Sequence, residues 1–284
     1  MVPGRLRRLT RDEVDLAVDW AGEEGWNPGL ADADAFLAAD PAAFVGVERD
    51  GELIATASLA SYDGYCGFIG FFIVRPELRG RGIGRQLWGP LCETLRARLR
   101  PGAAIGIDGV FAMQDFYAEA GFRFAHRNLR MGGVAEEADD DEGLRALSEL
   151  PFADVAAYDR AHFGCSREAF LRRWIDPAGG AGLGLVEDGT LRGIGVARPC
   201  REGFKLGPLF PDDDDGAERL YRGLAGAGAG APVFLDVPEV NADALALAGR
   251  HGLREGFGCA RMYLGPEPSL PWGRIFGVTT FELG

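Results

Sequence analysis

The chain has 284 residues, of which 47% are hydrophobic and 26% are charged, and its formal net charge is −13. The length suits two domains, and the composition is that of a globular protein without an apolar run long enough to cross a bilayer. The acidity disfavours nucleic acids and anionic membranes as partners, and the N-terminus carries no apolar signal core. We therefore expect a cytoplasmic protein, a monomer or a homodimer, that binds neither nucleic acid nor membrane.

The first quarter of the chain predicts helices followed by a β-hairpin. Residues 35–41 end a helical stretch, and residues 43–48 form an apolar, strand-like run. The dipeptide Asp50-Gly51 is a typical two-residue hairpin turn, and it leads into a second strand over residues 53–59.

A strand, a glycine- and arginine-rich turn and a helix follow. Residues 67–74 are apolar and rich in β-formers, and Pro76 ends this strand. Residues 79–84 read Arg-Gly-Arg-Gly-Ile-Gly, and a helix with leucines at every fourth position follows over residues 86–99. Glycines let the backbone approach a ligand closely, and the free N–H groups at a helix start attract anions. The pattern therefore predicts a phosphate-binding turn.

Three phosphate ligands use turns of this kind. A P-loop nucleotide site requires Gly-Lys-Ser/Thr, which is absent, and a dinucleotide site requires GxGxxG rather than the GxGxG spacing found here. The third ligand is the pyrophosphate of coenzyme A.

The chain divides into halves with a similar order of elements. An acidic run predicts a solvated linker over residues 135–148, between domains of residues 1–134 and 149–284. A helix, a strand, the turn Asp188-Gly189 and a strand recur in the second half. Its counterpart of the glycine turn is four aspartates, Asp212 to Asp215, which we expect to form an exposed loop that repels a pyrophosphate. We therefore predict a single cofactor site per chain.

The five cysteines have no CxxC spacing, and the three histidines do not cluster with them. We expect five reduced thiols and no metal site.

At residues 79–84 the sequence resembles the GNAT family of N-acetyltransferases, whose signature is Q/R-x-x-G-x-G/A. The resemblance implies an α/β fold of two tandem GNAT-like domains, each with a mixed, mostly antiparallel central sheet flanked by helices. It implies acetyl-CoA as co-substrate and a splay of the strands after residue 74. The implied cofactor-binding residues are Phe72, Ile73, Val74, Arg79, Gly80, Arg81, Gly82, Ile83, Gly84 and Arg85.

The resemblance also implies a proton donor. Many members of the family use a tyrosine four residues before a Gly-Phe pair to protonate the leaving thiolate, and Tyr117 stands at that place. The family's asparagine seven residues earlier is replaced by Val110. For the general base we predict Asp108 at a strand end, because its apolar flanks favour a raised pKa. Glu23, Glu24, Asp63 and a water molecule are weaker alternatives.

By the same resemblance, the loop after the first helix contacts the acceptor, and we assign Glu24, Trp26 and Asn27 to substrate binding. Trp26 offers either an aromatic surface for an ammonium group or a buried anchor for the loop. The expected activity is direct transfer of acetyl from acetyl-CoA to a primary amine of a small molecule or peptide, in a pocket near the domain interface. The acidity favours a cationic amine. The alternatives are a non-catalytic acetyl-CoA sensor and an acyltransferase that uses another acyl-CoA.

Overall fold

A computed structural model describes residues 4–138 and 141–284, and in this part of the chain twelve strands form one sheet. The strands are β1 (Arg5–Arg8), β2 (Phe44–Arg49), β3 (Glu52–Tyr62), β4 (Cys66–Val74), β5 (Ala104–Val110), β6 (Arg123–Val134), β7 (Leu144–Ala146), β8 (Ala181–Glu187), β9 (Thr190–Pro199), β10 (Phe204–Pro211), β11 (Pro232–Pro238) and β12 (Arg254–Leu264).

Eight α-helices cover the sheet over the same described residues. They are α1 (Arg11–Glu23), α2 (Asp32–Ala39), α3 (Ile83–Arg96), α4 (Gln114–Glu119), α5 (Phe152–Phe163), α6 (Glu168–Trp174), α7 (Asp214–Gly226) and α8 (Ala242–Arg250). Local signals set several of their ends: Thr10 and Glu13 form a capping box at the start of α1, and Asn241 caps α8. None of these helices is long and apolar enough to span a membrane.

The strand order is β1-β2-β3-β4-β5-β12-β6-β11-β10-β9-β8-β7. Only the pairs β4–β5 and β10–β11 are parallel, so the sheet is mostly antiparallel, and the predicted fold class is confirmed. The order also shows an exchange, because the last strand of each half pairs with the fifth strand of the other: β12 with β5, and β6 with β11. The two predicted sheets are therefore joined into one.

The two predicted hairpins are present. Asp50 and Gly51 have φ angles of 56° and 84°, and Asp188 and Gly189 have φ angles of 47° and 74°. Positive φ at both central residues is the conformation that matches the twist of a two-residue hairpin. The same device therefore joins β2 to β3 and β8 to β9.

Part of the predicted linker belongs to the second half. Residues 139 and 140 of that segment lie outside the described residues, but residues 144–146 form β7 and pair with β8. Asp141 accepts two hydrogen bonds from the guanidinium of Arg219 on α7, at 2.7 and 2.8 Å. The end of the predicted linker, from Asp141 to Ala146, is therefore fixed to the second half.

Two other expectations need correction. Asp213 to Asp215 are exposed, as predicted, but they do not form a loop, because Asp213 caps α7 and the helix begins at Asp214. The cysteines are not all free, because Cys66 at the start of β4 and Cys165 after α5 form a disulfide. The start of β4 and the end of α5 lie close together at the junction of the halves. The two sulfurs therefore meet although 99 residues separate them in the chain.

Candidate functional site

Strands β4 and β5 separate along their length and open a wedge in the sheet. They pair only over residues 66–69 and 104–107. Beyond that point β5 continues beside β12, while β4 carries a bulge between Gly70 and Ile73, where Phe71 adopts a φ of 48°. The splay begins after Ile69, five residues earlier than the sequence predicted, because the bulge turns β4 away from its neighbour.

A cavity of about 520 Å³ fills this wedge. Of the ten residues predicted to bind the cofactor, all but Arg81 line it; Arg81 is exposed beside the cavity. Residues 70–74 of β4 pair with β3 on one side and present their other edge to the cavity. A free strand edge can hydrogen-bond an extended chain such as pantetheine.

The glycine-rich turn lies at the mouth of this cavity. Gly80 and Gly82 have φ angles of 72° and 73°, a conformation that glycine adopts without the steric cost of a Cβ. Gly82 is the N-cap of α3 and offers no side-chain oxygen to the first turn, so those N–H groups remain available to an anion. Arg79 is held in place by hydrogen bonds to the carbonyl of Val74 and to Glu24.

Tyr117 on α4 lines the inner part of the cavity and is only 8% exposed. Its ring packs 4.8 Å from the ring of Trp88, measured between centroids. A Cβ on Gly109 of β5 would lie 2.4 Å from the Tyr117 ring, so only glycine leaves room for the ring there. Burial raises the pKa of Tyr117 above its ordinary value, and the hydroxyl therefore keeps its proton at neutral pH.

The carboxylate of Asp108 lines the cavity and is hydrogen-bonded to two other side chains. Its carboxylate accepts hydrogen bonds from Arg261 Nε at 2.8 Å, from a terminal nitrogen of Arg261 at 2.6 Å and from Asn128 Nδ2 at 2.8 Å. Burial raises the pKa of Asp108, as expected, but the contacts with Arg261 and Asn128 oppose that rise. A carboxylate that holds a buried arginine in this way is better placed to join β5 to β12 than to accept a substrate proton.

We expect Asp108→Ala to reduce the free energy of unfolding by about 3–5 kcal/mol, because it leaves the buried guanidinium of Arg261 without its partner. The matched control is Asp34→Ala, which removes an exposed ion pair with Arg11 and should cost less than about 1 kcal/mol. Urea unfolding followed by circular dichroism measures both. Equal losses in the two variants would contradict the structural role of Asp108.

The three residues predicted to bind substrate separate into two groups. Glu24 and Trp26 line the cavity. Asn27 does not, because its side-chain amide exchanges two hydrogen bonds, each of 2.9 Å, with the backbone of Glu202 between β9 and β10. The carbonyl of Trp26 accepts a hydrogen bond from Arg130 at 2.7 Å and another from Lys205 at 3.3 Å. The loop is thus fastened to the second half.

The cavity wall also contains residues that the sequence analysis did not assign to the site, and four of them lie in the second half: Phe257, Cys259, Phe281 and Glu282. The last two belong to a C-terminal segment, residues 275–284, that is buried throughout. This segment crosses from β10 to β3, where Tyr62 donates a hydrogen bond to the carbonyl of Leu283 at 2.7 Å. The apolar composition of residues 275–284 was the sequence signal that could have indicated a buried segment here.

The place in the second half that matches the glycine turn has a different structure. Strand β10 runs almost directly into α7, and the Asp213 carboxylate accepts a hydrogen bond from the N–H of Gly216 at 2.8 Å. The start of α7 therefore holds an anionic side chain of its own. This arrangement supports the prediction of one phosphate site per chain. In the described residues, no group of three His, Cys, Asp or Glu side chains is positioned to hold a metal ion.

Comparison with known proteins gives two family matches. Residues 9–122 match the model of the acetyltransferase (GNAT) family, and residues 155–277 match that of an acetyltransferase (GNAT) domain. Holothin acyltransferase from a Pseudoalteromonas species is 27% identical over 277 residues, which cover 96% of this chain and 92% of the relative.

Solved structures agree at the level of the fold. A candidate acetyltransferase from Pyrococcus horikoshii superposes with a TM-score of 0.84 at 22% identity, and the match covers 100% of this chain and 97% of that one. A tandem GNAT protein from the clavulanic acid biosynthesis pathway has a TM-score of 0.63 at 16% identity, with 93% and 99% coverage.

Proposed function

This chain belongs to the GNAT acetyltransferase family, with two GNAT domains in tandem, and from that premise we propose that it transfers acetyl from acetyl-CoA to a primary amine. The observation that carries the proposal is the single cavity that extends from the glycine-rich turn to Tyr117. A donor with a pyrophosphate at one end and a thioester at the other matches a site with an anion-binding turn at its mouth and a proton donor inside.

Each part of the cavity has a role in this proposal. The first-turn N–H groups of α3 bind the pyrophosphate, and the free edge of β4 over residues 72–74 hydrogen-bonds the pantetheine arm. Trp88 and Phe116 pack around Tyr117 and limit the access of water to its hydroxyl. A backbone N–H of β4 that faces the wedge can polarise the thioester carbonyl as charge develops on its oxygen.

The reaction needs no nucleophile from the protein, because a thioester is already activated. The amine nitrogen attacks the carbonyl carbon, the C–N bond forms and the C–S bond breaks. The electron pair of that bond goes to sulfur, which takes the proton of the Tyr117 hydroxyl. The tyrosine then recovers a proton from the new amide nitrogen, directly or through water. Tyr117 is thus proposed as the general acid of the leaving step.

A screen of primary amines with acetyl-CoA tests the proposal, with release of the free thiol as the readout. We expect at least one amine to be acetylated and acetyl-CoA to bind with a stoichiometry of one per chain in a calorimetric titration. Tight binding of acetyl-CoA without acetylation of any amine would favour a sensor over an enzyme. Binding of two molecules per chain would contradict a single phosphate site.

A different acyl donor is the second candidate. The relative from Pseudoalteromonas, which this chain matches over 92% of its length, is described as a holothin acyltransferase. In addition, the wedge of this chain is lined mainly by apolar side chains. Parallel titrations with acetyl-, succinyl- and long-chain acyl-CoA separate the two donors. Tighter binding of a longer acyl chain would favour the second candidate.

A further inference from the structure

The side chain of Glu282, two residues before the C-terminus, is 3% exposed and lines the cavity of the proposed active site. Its Oε2 atom is buried and has no hydrogen-bond partner among the described residues. A buried carboxylate oxygen without a partner is costly, and in native proteins such an atom calls for a specific explanation.

The surroundings of Glu282 contain three buried cations and two other buried carboxylates. Arg130 on β6 forms a two-bond ion pair with Asp236 of β11, at 2.7 and 2.8 Å. Arg198 on β9 forms a similar pair with Asp32 of α2, at 2.8 and 3.2 Å. These four charges therefore cancel within their own pairs.

Lys205 on β10 and Glu282 are the two charges that remain. Lys205 is 2% exposed and donates its hydrogen bond to the carbonyl of Trp26. Its charge interacts favourably with that of Glu282 through space, as do those of Arg130 and Arg198. The nearby thiol of Cys259 has its pKa raised by burial and remains uncharged, and Glu24 is paired with Arg79. The cations of the cluster thus attract the Glu282 carboxylate without occupying its Oε2 atom.

The backbone holds Glu282 firmly in this position. Thr280 Oγ1 accepts hydrogen bonds from the N–H groups of Glu282 and Leu283, at 3.1 and 3.0 Å. The carbonyl oxygen of Glu282 would lie 2.0 Å from a Cβ on Gly70, so the segment packs directly against the bulge of β4. The aromatic rings of Phe257 and Phe281 lie beside it, 6.2 Å apart.

We propose that Glu282 binds the ammonium group of the acceptor and removes its proton, so that the C-terminal segment forms the acceptor side of the active site. The proposal rests on the proposed acetyltransfer and adds the recognition of its amine. An ammonium group supplies the hydrogen-bond donors that the unpartnered Oε2 atom lacks, and its charge strengthens those bonds. An uncharged acceptor can donate a hydrogen bond but lacks the charge that strengthens it, and an anionic acceptor is repelled by the carboxylate.

The proton transfers balance. The ammonium nitrogen loses one proton to Glu282, which releases it to solvent after turnover. The neutral amine then attacks the thioester carbon, and the second proton that it loses replaces the one given by Tyr117 to sulfur. The products are the amide, free coenzyme A and one proton in solution. Glu282 and Tyr117 therefore act on different protons of the same reaction.

The test compares Glu282→Gln with Glu255→Gln, a control at an exposed glutamate of β12. The pH profile of kcat/KM for an amine that the wild type acetylates is the first measurement. We expect Glu282→Gln to lower kcat/KM by about 10²–10³-fold at neutral pH and to lose the acidic limb of the profile, since general-base catalysis contributes about that factor. Glu282→Asp should retain the limb at reduced rate. The control should match the wild type.

Two titrations separate this proposal from the proposed function. Acetyl-CoA should bind Glu282→Gln and the wild type equally, and failure to bind the wild type would count against the proposed function alone. The n-propylammonium ion, titrated with and without coenzyme A, should bind the wild type at least tenfold more tightly than Glu282→Gln. Equal binding of n-propylammonium, or an unchanged pH profile in Glu282→Gln, would overturn the role of Glu282.

Discussion

Replacing Gly82 with glutamate should weaken the binding of acetyl-CoA by on the order of 100-fold, or about 2.7 kcal/mol. Gly82 is the N-cap of α3, and its Cβ position is open apart from Gln86 at 3.9 Å. A carboxylate placed there would occupy the N–H groups proposed for the pyrophosphate and would repel its charge. Isothermal titration with acetyl-CoA measures the effect.

Gly82→Gln is the matched control, because it introduces the same backbone strain at a φ of 73° without the charge. We expect it to lose about tenfold in affinity, so the difference between the two variants reports electrostatics. Unfolding curves of both variants show whether α3 remains intact. If Gly82→Glu bound acetyl-CoA as tightly as Gly82→Gln, the turn would not be the phosphate site.

Replacing Tyr117 with phenylalanine should lower kcat by about 10²–10³-fold and leave the affinity for acetyl-CoA nearly unchanged. The ring retains its packing against Trp88 and its fit beside Gly109, so the substitution removes only the hydroxyl. Because burial raises the pKa of Tyr117, the wild-type hydroxyl stays protonated through the neutral range and is available as an acid. Single-turnover measurements of thiol release and a calorimetric titration separate the two quantities.

Tyr65→Phe is the control for that experiment, since Tyr65 is 59% exposed and does not line the cavity. It should match the wild type in both measurements. A Tyr117→Phe variant with full turnover would assign Tyr117 to packing alone and leave protonation of the thiolate to water. If Tyr117→Phe instead bound acetyl-CoA more weakly but kept its turnover, the hydroxyl would be assigned to the binding of acetyl-CoA.

The exchange of strands explains why the second half contributes to a cavity whose phosphate turn lies in the first. Strand β12 completes the sheet beside β5 and brings Phe257 and Cys259 to the wedge. The C-terminal segment then returns to β4 and adds Phe281 and Glu282. The second half supplies no second glycine turn, but without it the wall of the proposed acceptor site would be missing.

Local patterns predicted much of the secondary structure. Residues adjacent in the chain determine the hairpins at Asp50-Gly51 and Asp188-Gly189. They also determine the strand before the glycine-rich turn and the helix after it. Tyr117 was predicted from a short family motif, a tyrosine four residues before the Gly121-Phe122 pair. Asp108 lines the cavity as predicted from the strand end, but its ion pair with Arg261 could not be predicted, because that partner lies 153 residues away and no local pattern reveals such a pair.

The sequence by itself therefore determined the glycine-rich turn, its helix and the family, because close spacing of glycines, arginines and leucines acts through local backbone geometry and helical periodicity. Only the tertiary structure decided where β4 and β5 separate, and which of the acids that line the cavity are paired: Glu24 and Asp108 have arginine partners, whereas Glu282 Oε2 has no hydrogen-bond partner among the described residues. Those properties depend on the exchange of strands and on the C-terminal segment. This segment packs against Ser58 and Tyr62, which precede it by more than 200 residues in the chain. Contacts over such separations are set by packing of the whole sheet.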